Sequence, residues 1–124
     1  MGARADFYVG RGKDAEWLGS ISLDGYPDGI DTALLKSTTL QQYKARLRSF
    51  LSKRNDVTHP KDGWPWPWDD SNTTDCAYAF DKGRVHISWF GSPWQLATSK
   101  RYPKEGEGQE FPNMKAVQRV AKRR

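Results

Sequence analysis

The chain has one cysteine, two histidines and no long apolar run. With Cys76 alone there is no internal disulfide framework, and a single thiol fits a reducing compartment. No stretch approaches the ~18 apolar residues that a membrane span needs, and the N-terminal MGARADFYVG lacks the apolar run of a signal peptide. Two histidines and one cysteine far apart make no metal signature, and no cofactor motif is present. GRGKDA (10–15) has glycines and a lysine, but a Walker loop joins a strand to a helix, and this one joins two strands. These absences lead us to expect a soluble cytoplasmic protein, and 124 residues suffice for one domain with a core of its own.

The charge is unevenly placed. Residues 1–98 hold twelve Lys or Arg against twelve Asp or Glu, whereas residues 99–124 hold eight against three and carry the whole net +5. The segment is poor in apolar residues and reads as a linker-like extension, so the expected organisation is a 1–98 domain followed by a basic 99–124 extension. Met114, Val117 and Val120 recur at spacing three near its end, which predicts a helix too short to be stable alone. Lys115, Arg119, Lys122, Arg123 and Arg124 are its candidate phosphate contacts. The plainer reading of such a tail is a solvated one.

Two β-branched and aromatic runs, DFYV (6–9) and EWLGSISL (16–23), predict a hairpin closed by the glycine-bearing loop. DGYPDGID (24–31) is turn, and TALL one helical turn. The main helix is expected over 39–54. Thr38 or Thr39 serves as N-cap, with Gln41 or Gln42 completing a capping box. Leu40, Tyr43, Leu47, Phe50 and Leu51 form one apolar stripe, opposite Lys44, Arg46, Arg48 and Lys53. DCAYAF and RVHISWF predict a second hairpin around DKG. A three-residue loop with Gly83 left-handed pairs Phe80 with Arg84, Tyr78 with His86 and Cys76 with Ser88. That register turns Ala77, Ala79, Val85, Ile87 and Trp89 toward the helix and leaves Cys76, Tyr78, His86 and Ser88 together on the other face. A two-residue loop instead puts Cys76, Tyr78, Phe80, Val85, Ile87 and Trp89 in the core; turn chemistry favours the first. The expected fold class is α+β: an antiparallel sheet of about four strands, in two hairpins, packed on one main helix.

The tryptophans are concentrated in GWPWPWDD (63–70). Proline there excludes a helix or a central strand. If the segment is extended, Trp64, Trp66 and Trp68 project to one side; if it is polyproline-like, they fan around the axis. Such rings either roof a face of the sheet or offer a stacking platform. The expected answer is a wall that closes the domain with one or two rings open to a partner, and Trp64, Trp66, Trp68 and Trp94 are the candidate partner-binding residues. Asp69 and Asp70 are adjacent and point apart in extended chain, so they read as an Asx-type turn and not as an acid–base pair. A thiol beside an imidazole is the start of a nucleophile. A small hydrolase or transferase using Cys76, Tyr78 and His86 with Asp75 is therefore one reading, although no oxyanion donor is evident. A lone strand cysteine is more often a small buried hydrophobe, so no catalytic residue is assigned.

ARADFYVGRG, EWLGSISLDGYPDGI, GWPWPWDDSNTTDCAYAFDKGRV and FPNM together resemble a group of small hypothetical proteins of tailed phages and prophages of Gram-negative bacteria. The likeness covers most of residues 3–90 plus 111–114. It implies a phage accessory protein acting in the host bacterial cytoplasm, and it brings no catalytic residue with it. The expected activity is non-catalytic binding or inhibition of a host protein, an anti-defence role included. Nucleic-acid binding through the basic extension is the alternative.

Overall fold

The computed structural model describes residues 2–99. Eight elements matter here: β1 (Ala5–Val9), β2 (Glu16–Ile21), α1 (Thr32–Leu35), α2 (Leu40–Ser52), β3 (Val57–Thr58), β4 (Cys76–Asp81), β5 (Arg84–Trp89) and β6 (Gln95–Leu96). The expected α+β class holds, with both hairpins and one main helix. The predicted basic extension, with Lys115, Arg119, Lys122, Arg123 and Arg124, lies outside the described residues.

The sheet is larger than expected, and mixed. Its order is β3-β2-β1-β4-β5-β6, and β1 and β4 run parallel while every other pair is antiparallel. The chain leaves the first hairpin, crosses one face as α1 and α2, pairs with β2 as β3, and passes over the other face before returning as β4 beside β1. A crossover of that length is what a parallel pair requires. The extra strands β3 and β6 are two residues each, too short for any alternation to mark them. β2 stops at Ile21, short of the expected Leu23, because the Asp56 carboxylate accepts the Ser22 and Leu23 amides at 3.2 and 2.8 Å and turns the chain.

α2 begins where its capping chemistry places it. Thr39 Oγ1 accepts the Gln42 amide at 3.1 Å, and the Gln42 side chain accepts the Thr38 amide at 2.9 Å. Tyr43, Leu47, Phe50 and Leu51 are buried against Ala5, Phe7, Ile21, Tyr78, Phe80 and Ile87 of the sheet. Leu40 is exposed and leaves the stripe one residue short at its N-terminal end. Leu47→Ala is expected to cost about 2–3 kcal/mol in chemical denaturation; a cost near zero would mean that this stripe is not core.

The second hairpin has the two-residue loop. Asp81 pairs with Arg84, Phe80 with Val85, Tyr78 with Ile87 and Cys76 with Trp89. Lys82 and Gly83 both hold positive φ, at 53° and 78°, as a primed two-residue turn demands. Gly83 alone in the left-handed region would have served the three-residue loop. Lys82 accepting it too shortens the loop, and every side chain changes face. Cys76, Tyr78, Phe80, Val85 and Ile87 therefore meet the helix, while Ala77 and Ala79 face the other way.

Candidate functional site

The sheet's second face is built around one buried carboxylate. β2 carries a bulge at Leu18: Phe7 is opposite Gly19 and Tyr8 opposite Trp17, leaving Leu18 without a partner. The extra residue brings Trp17 and Ser20, three apart, to one face, and the Trp17 indole donates to Ser20 Oγ at 3.0 Å. Ser20 in turn donates to Asp6 Oδ1 at 2.6 Å. From the other side Ser71 Oγ donates to Asp6 Oδ2 at 2.8 Å, and the Tyr8 hydroxyl is paired with the same Ser71 oxygen at 2.8 Å. The Trp66 indole also donates to Asp6 Oδ1 at 2.7 Å. Asp6 is fully buried, and none of the ion pairs among the described residues involves it. Burial pushes its carboxyl up, and the hydrogen bonds from Ser20, Trp66, Ser71 and Thr74 oppose that shift. Tyr8 is pushed well up by burial, and then by the charge of Asp6.

The tryptophan segment is the lid on this network. Two indole N–H groups tie the segment to the body, Trp66 to Asp6 and Trp68 to Thr74 Oγ1 at 2.9 Å, while Trp64 closes the segment on itself by donating to the Trp68 carbonyl at 2.7 Å. The roofing reading therefore describes the anchoring. Trp64 packs edge-on against Trp17, with ring centres 5.2 Å apart. Trp66 and Trp68, two residues apart, stack at 5.6 Å with their planes 17° apart. The Arg4 guanidinium lies 5.5 Å from the centre of each, and all three tryptophans are partly buried. Asp70 makes the expected Asx turn, accepting the Asn72 amide at 3.0 Å.

Trp94 is not part of that surface. It is fully buried, packed among Tyr8, Ala15, Trp17, Ala77 and Ala79, where the two alanines of β4 leave room for it. It closes the inside of the wall and cannot reach a partner.

The Cys76–Tyr78–His86 grouping does not form. The register sends Cys76 and Tyr78 to the helix face, and His86, opposite Ala79, to the other. Burial pushes the Cys76 thiol up to about 12, so it holds no thiolate, and the Tyr78 hydroxyl is spent on the Gly25 carbonyl at 2.7 Å. His86 is pushed down to about 4, first by burial and then by Arg11. Its ordinary value is 6.5, so between these values the unfolded chain binds more protons than the fold. Stability should accordingly fall as pH drops from about 6.5 toward 4, by roughly 2–3 kcal/mol at the lower end. The difference between wild type and His86→Gln in denaturation at stepped pH measures this. A constant difference across that window would mean that His86 titrates normally.

A second aromatic group lies at the end of the sheet where β1 and β4 begin. There Asp75 ties three segments: its carboxylate accepts the Arg4 amide at 2.7 Å, and its carbonyl accepts the Phe90 amide at 2.9 Å. Tyr26 stacks on Trp89 at 5.9 Å. Phe90 and Gly91 turn the chain with φ of 47° and 81°, closed by the Ser92 amide on the Trp89 carbonyl at 2.9 Å. A β-carbon on Gly91 would meet the Asn72 carbonyl at 2.7 Å, so the turn presses on the end of the tryptophan segment. Phe90, at 57%, is the most exposed of the large apolar side chains described, and Tyr26 follows at 46%.

Sequence reasoning missed Asp6, Arg4, Tyr26 and Phe90. Asp6 had one signal, a lone carboxylate inside the apolar run ADFYV; the other three had none. Among the described residues no cluster of His, Cys, Asp or Glu is placed to hold a metal, and no helix is long and apolar enough to cross a membrane. No protein-family model, no curated protein and no solved structure matches the chain.

Proposed function

We propose that this chain is a phage or prophage accessory protein that binds a host protein in the bacterial cytoplasm, through the aromatic end of its sheet. The observation that carries the reading is Phe90. A phenylalanine at positive φ is strained, since the left-handed region crowds any β-carbon. Glycine or asparagine would hold the same turn more easily, yet the ring stands in water. Among the described residues Phe90 belongs to neither core cluster, whereas an interface would reward that choice. At the same end of the sheet are Tyr26 on Trp89, and Arg4 over Trp66 and Trp68, residue types that anchor protein interfaces. The surface keeps Trp66 and Trp68 of the expected one, loses Trp64 and Trp94, and gains Phe90, Tyr26, Trp89 and Arg4. The phage setting rests on the sequence resemblance alone.

Phe90→Asn separates binding from folding. It is expected to leave stability unchanged or raise it by up to about 1 kcal/mol, while abolishing capture of the partner from nuclease-treated host lysate by full-length tagged protein. Equal capture by the two proteins would remove Phe90 from any interface. Capture that vanishes with nuclease, and weakens with salt at a log–log slope of about one per phosphate contacted, would move the function to nucleic acid and to the basic extension.

A further inference from the structure

On the opposite face of the sheet, α2 and the bulge of β2 enclose a groove of about 390 Å³ lined by Leu18, Lys44, Leu47, Arg48, Leu51, Ser52 and His59. Its floor is aliphatic. Leu47 and Leu51 are core residues of α2, and Leu18 packs against the same core from the bulge, outside the two-residue ladder that joins β2 to β3. No carboxylate is among the lining residues. Lys44 and Arg48 stand one helical turn apart, and like charges at that spacing repel by a few tenths of a kcal/mol in an isolated helix. The same helix and its end offer a contrast. Arg46 donates to the Ala33 carbonyl at 2.9 Å and Arg54 pairs with Asp56 at 2.7 Å, but neither Lys44 nor Arg48 belongs to an ion pair among the described residues.

A cationic pair with no ion-pair partner among the described residues, set over an aliphatic floor, suits a ligand of complementary form. We infer that this groove binds an amphipathic anion, an aliphatic chain ending in a carboxylate, with the chain on Leu18, Leu47 and Leu51 and the carboxylate between Lys44 and Arg48. The volume falls in the range of small-ligand sites, roughly 300–1,000 Å³. The site is distinct from the aromatic end of the sheet, and binding there does not depend on the partner proposed above.

The test titrates the full-length, isotopically labelled chain with decanoate below its micelle concentration and follows the amide resonances. Decanol and decyltrimethylammonium serve as equal-length controls without the anion. Decanoate should perturb Leu18, Leu47, Leu51 and Ser52, bind at least tenfold more tightly than either control, and weaken as salt rises. The double variant Lys44→Gln, Arg48→Gln should bind decanoate at least tenfold more weakly. It relieves a like-charge pair on the helix surface, so it should melt no lower than wild type, and Lys44→Gln alone should give an intermediate affinity. Equal affinity for decanol, shifts centred elsewhere, or an unchanged affinity in the double variant would overturn the assignment.

Discussion

Asp6→Ala should lose about 4–5 kcal/mol of folding stability, a large part of the 5–15 kcal/mol that a domain of this size holds. The carboxylate is fully buried and receives Ser20 at 2.6 Å, Trp66 at 2.7 Å and Ser71 at 2.8 Å. Truncation strands these donors without an acceptor, each at about 1–3 kcal/mol, and water entering the small space left behind recovers only part. Asp6→Asn should cost less, about 2–3 kcal/mol: it keeps one acceptor oxygen but sets an N–H₂ against groups that themselves donate. Ser20→Ala should cost about 1 kcal/mol, since it removes one member and Trp66 and Ser71 still serve the carboxylate. The order Ala, then Asn, then Ser20→Ala is the signature, read from denaturation midpoints at constant slope. If Asp6→Ala falls below about 1 kcal/mol, the network is not what holds the tryptophan segment to the sheet. At this residue acidification favours the fold, because burial raises the carboxyl above its ordinary 3.8; its contribution therefore opposes that of His86.

The parts of this molecule legible in its sequence are those in which neighbours along the chain decide the outcome. The Thr39–Gln42 cap, the stripe from Tyr43 to Leu51 and the Asx turn at Asp70 are local, and each forms where the pattern places it. Decisions made at a distance were not legible. The β1–β4 parallel pair depends on where a crossover lands, and no residue of either strand announces it. The hairpin register turned on whether Lys82 would accept a positive φ, a matter of a kcal/mol or so. Burial of a whole face of the sheet outweighs that cost, so the core, not the turn, selects the loop. That one-residue difference dissolved the Cys76–His86 reading altogether. Asp6 was obscure for a related reason: its donors come from β2, from Trp66 and from Ser71, and only the bulge at Leu18 aligns the first of them.

Trp94→Ala should be as damaging, about 4–5 kcal/mol, with an informative contrast in Trp94→Phe. Trp94 has no exposed surface and fills the space between β4 and Trp64, so truncation opens a cavity bounded by a sheet that cannot collapse onto it. Phenylalanine keeps most of the ring. It also deletes an indole N–H that is buried with no hydrogen-bond partner among the described residues, and removing such a group returns about 1–3 kcal/mol that its desolvation had cost. The two terms nearly cancel, and Trp94→Phe should cost about 1 kcal/mol or less. Trp68→Ala falls between them: it gives up one hydrogen bond, to Thr74, and a partly buried ring, for about 1–2 kcal/mol. If Trp94→Ala costs no more than Trp68→Ala, the second face is not a core and the wall stands on Asp6 alone. Partner capture discriminates further, because Trp94 lies inside the wall. Trp94→Phe should capture the partner as wild type does, while Phe90→Asn, equally stable, should not. That pairing places binding on the outer rings and folding on the inner one.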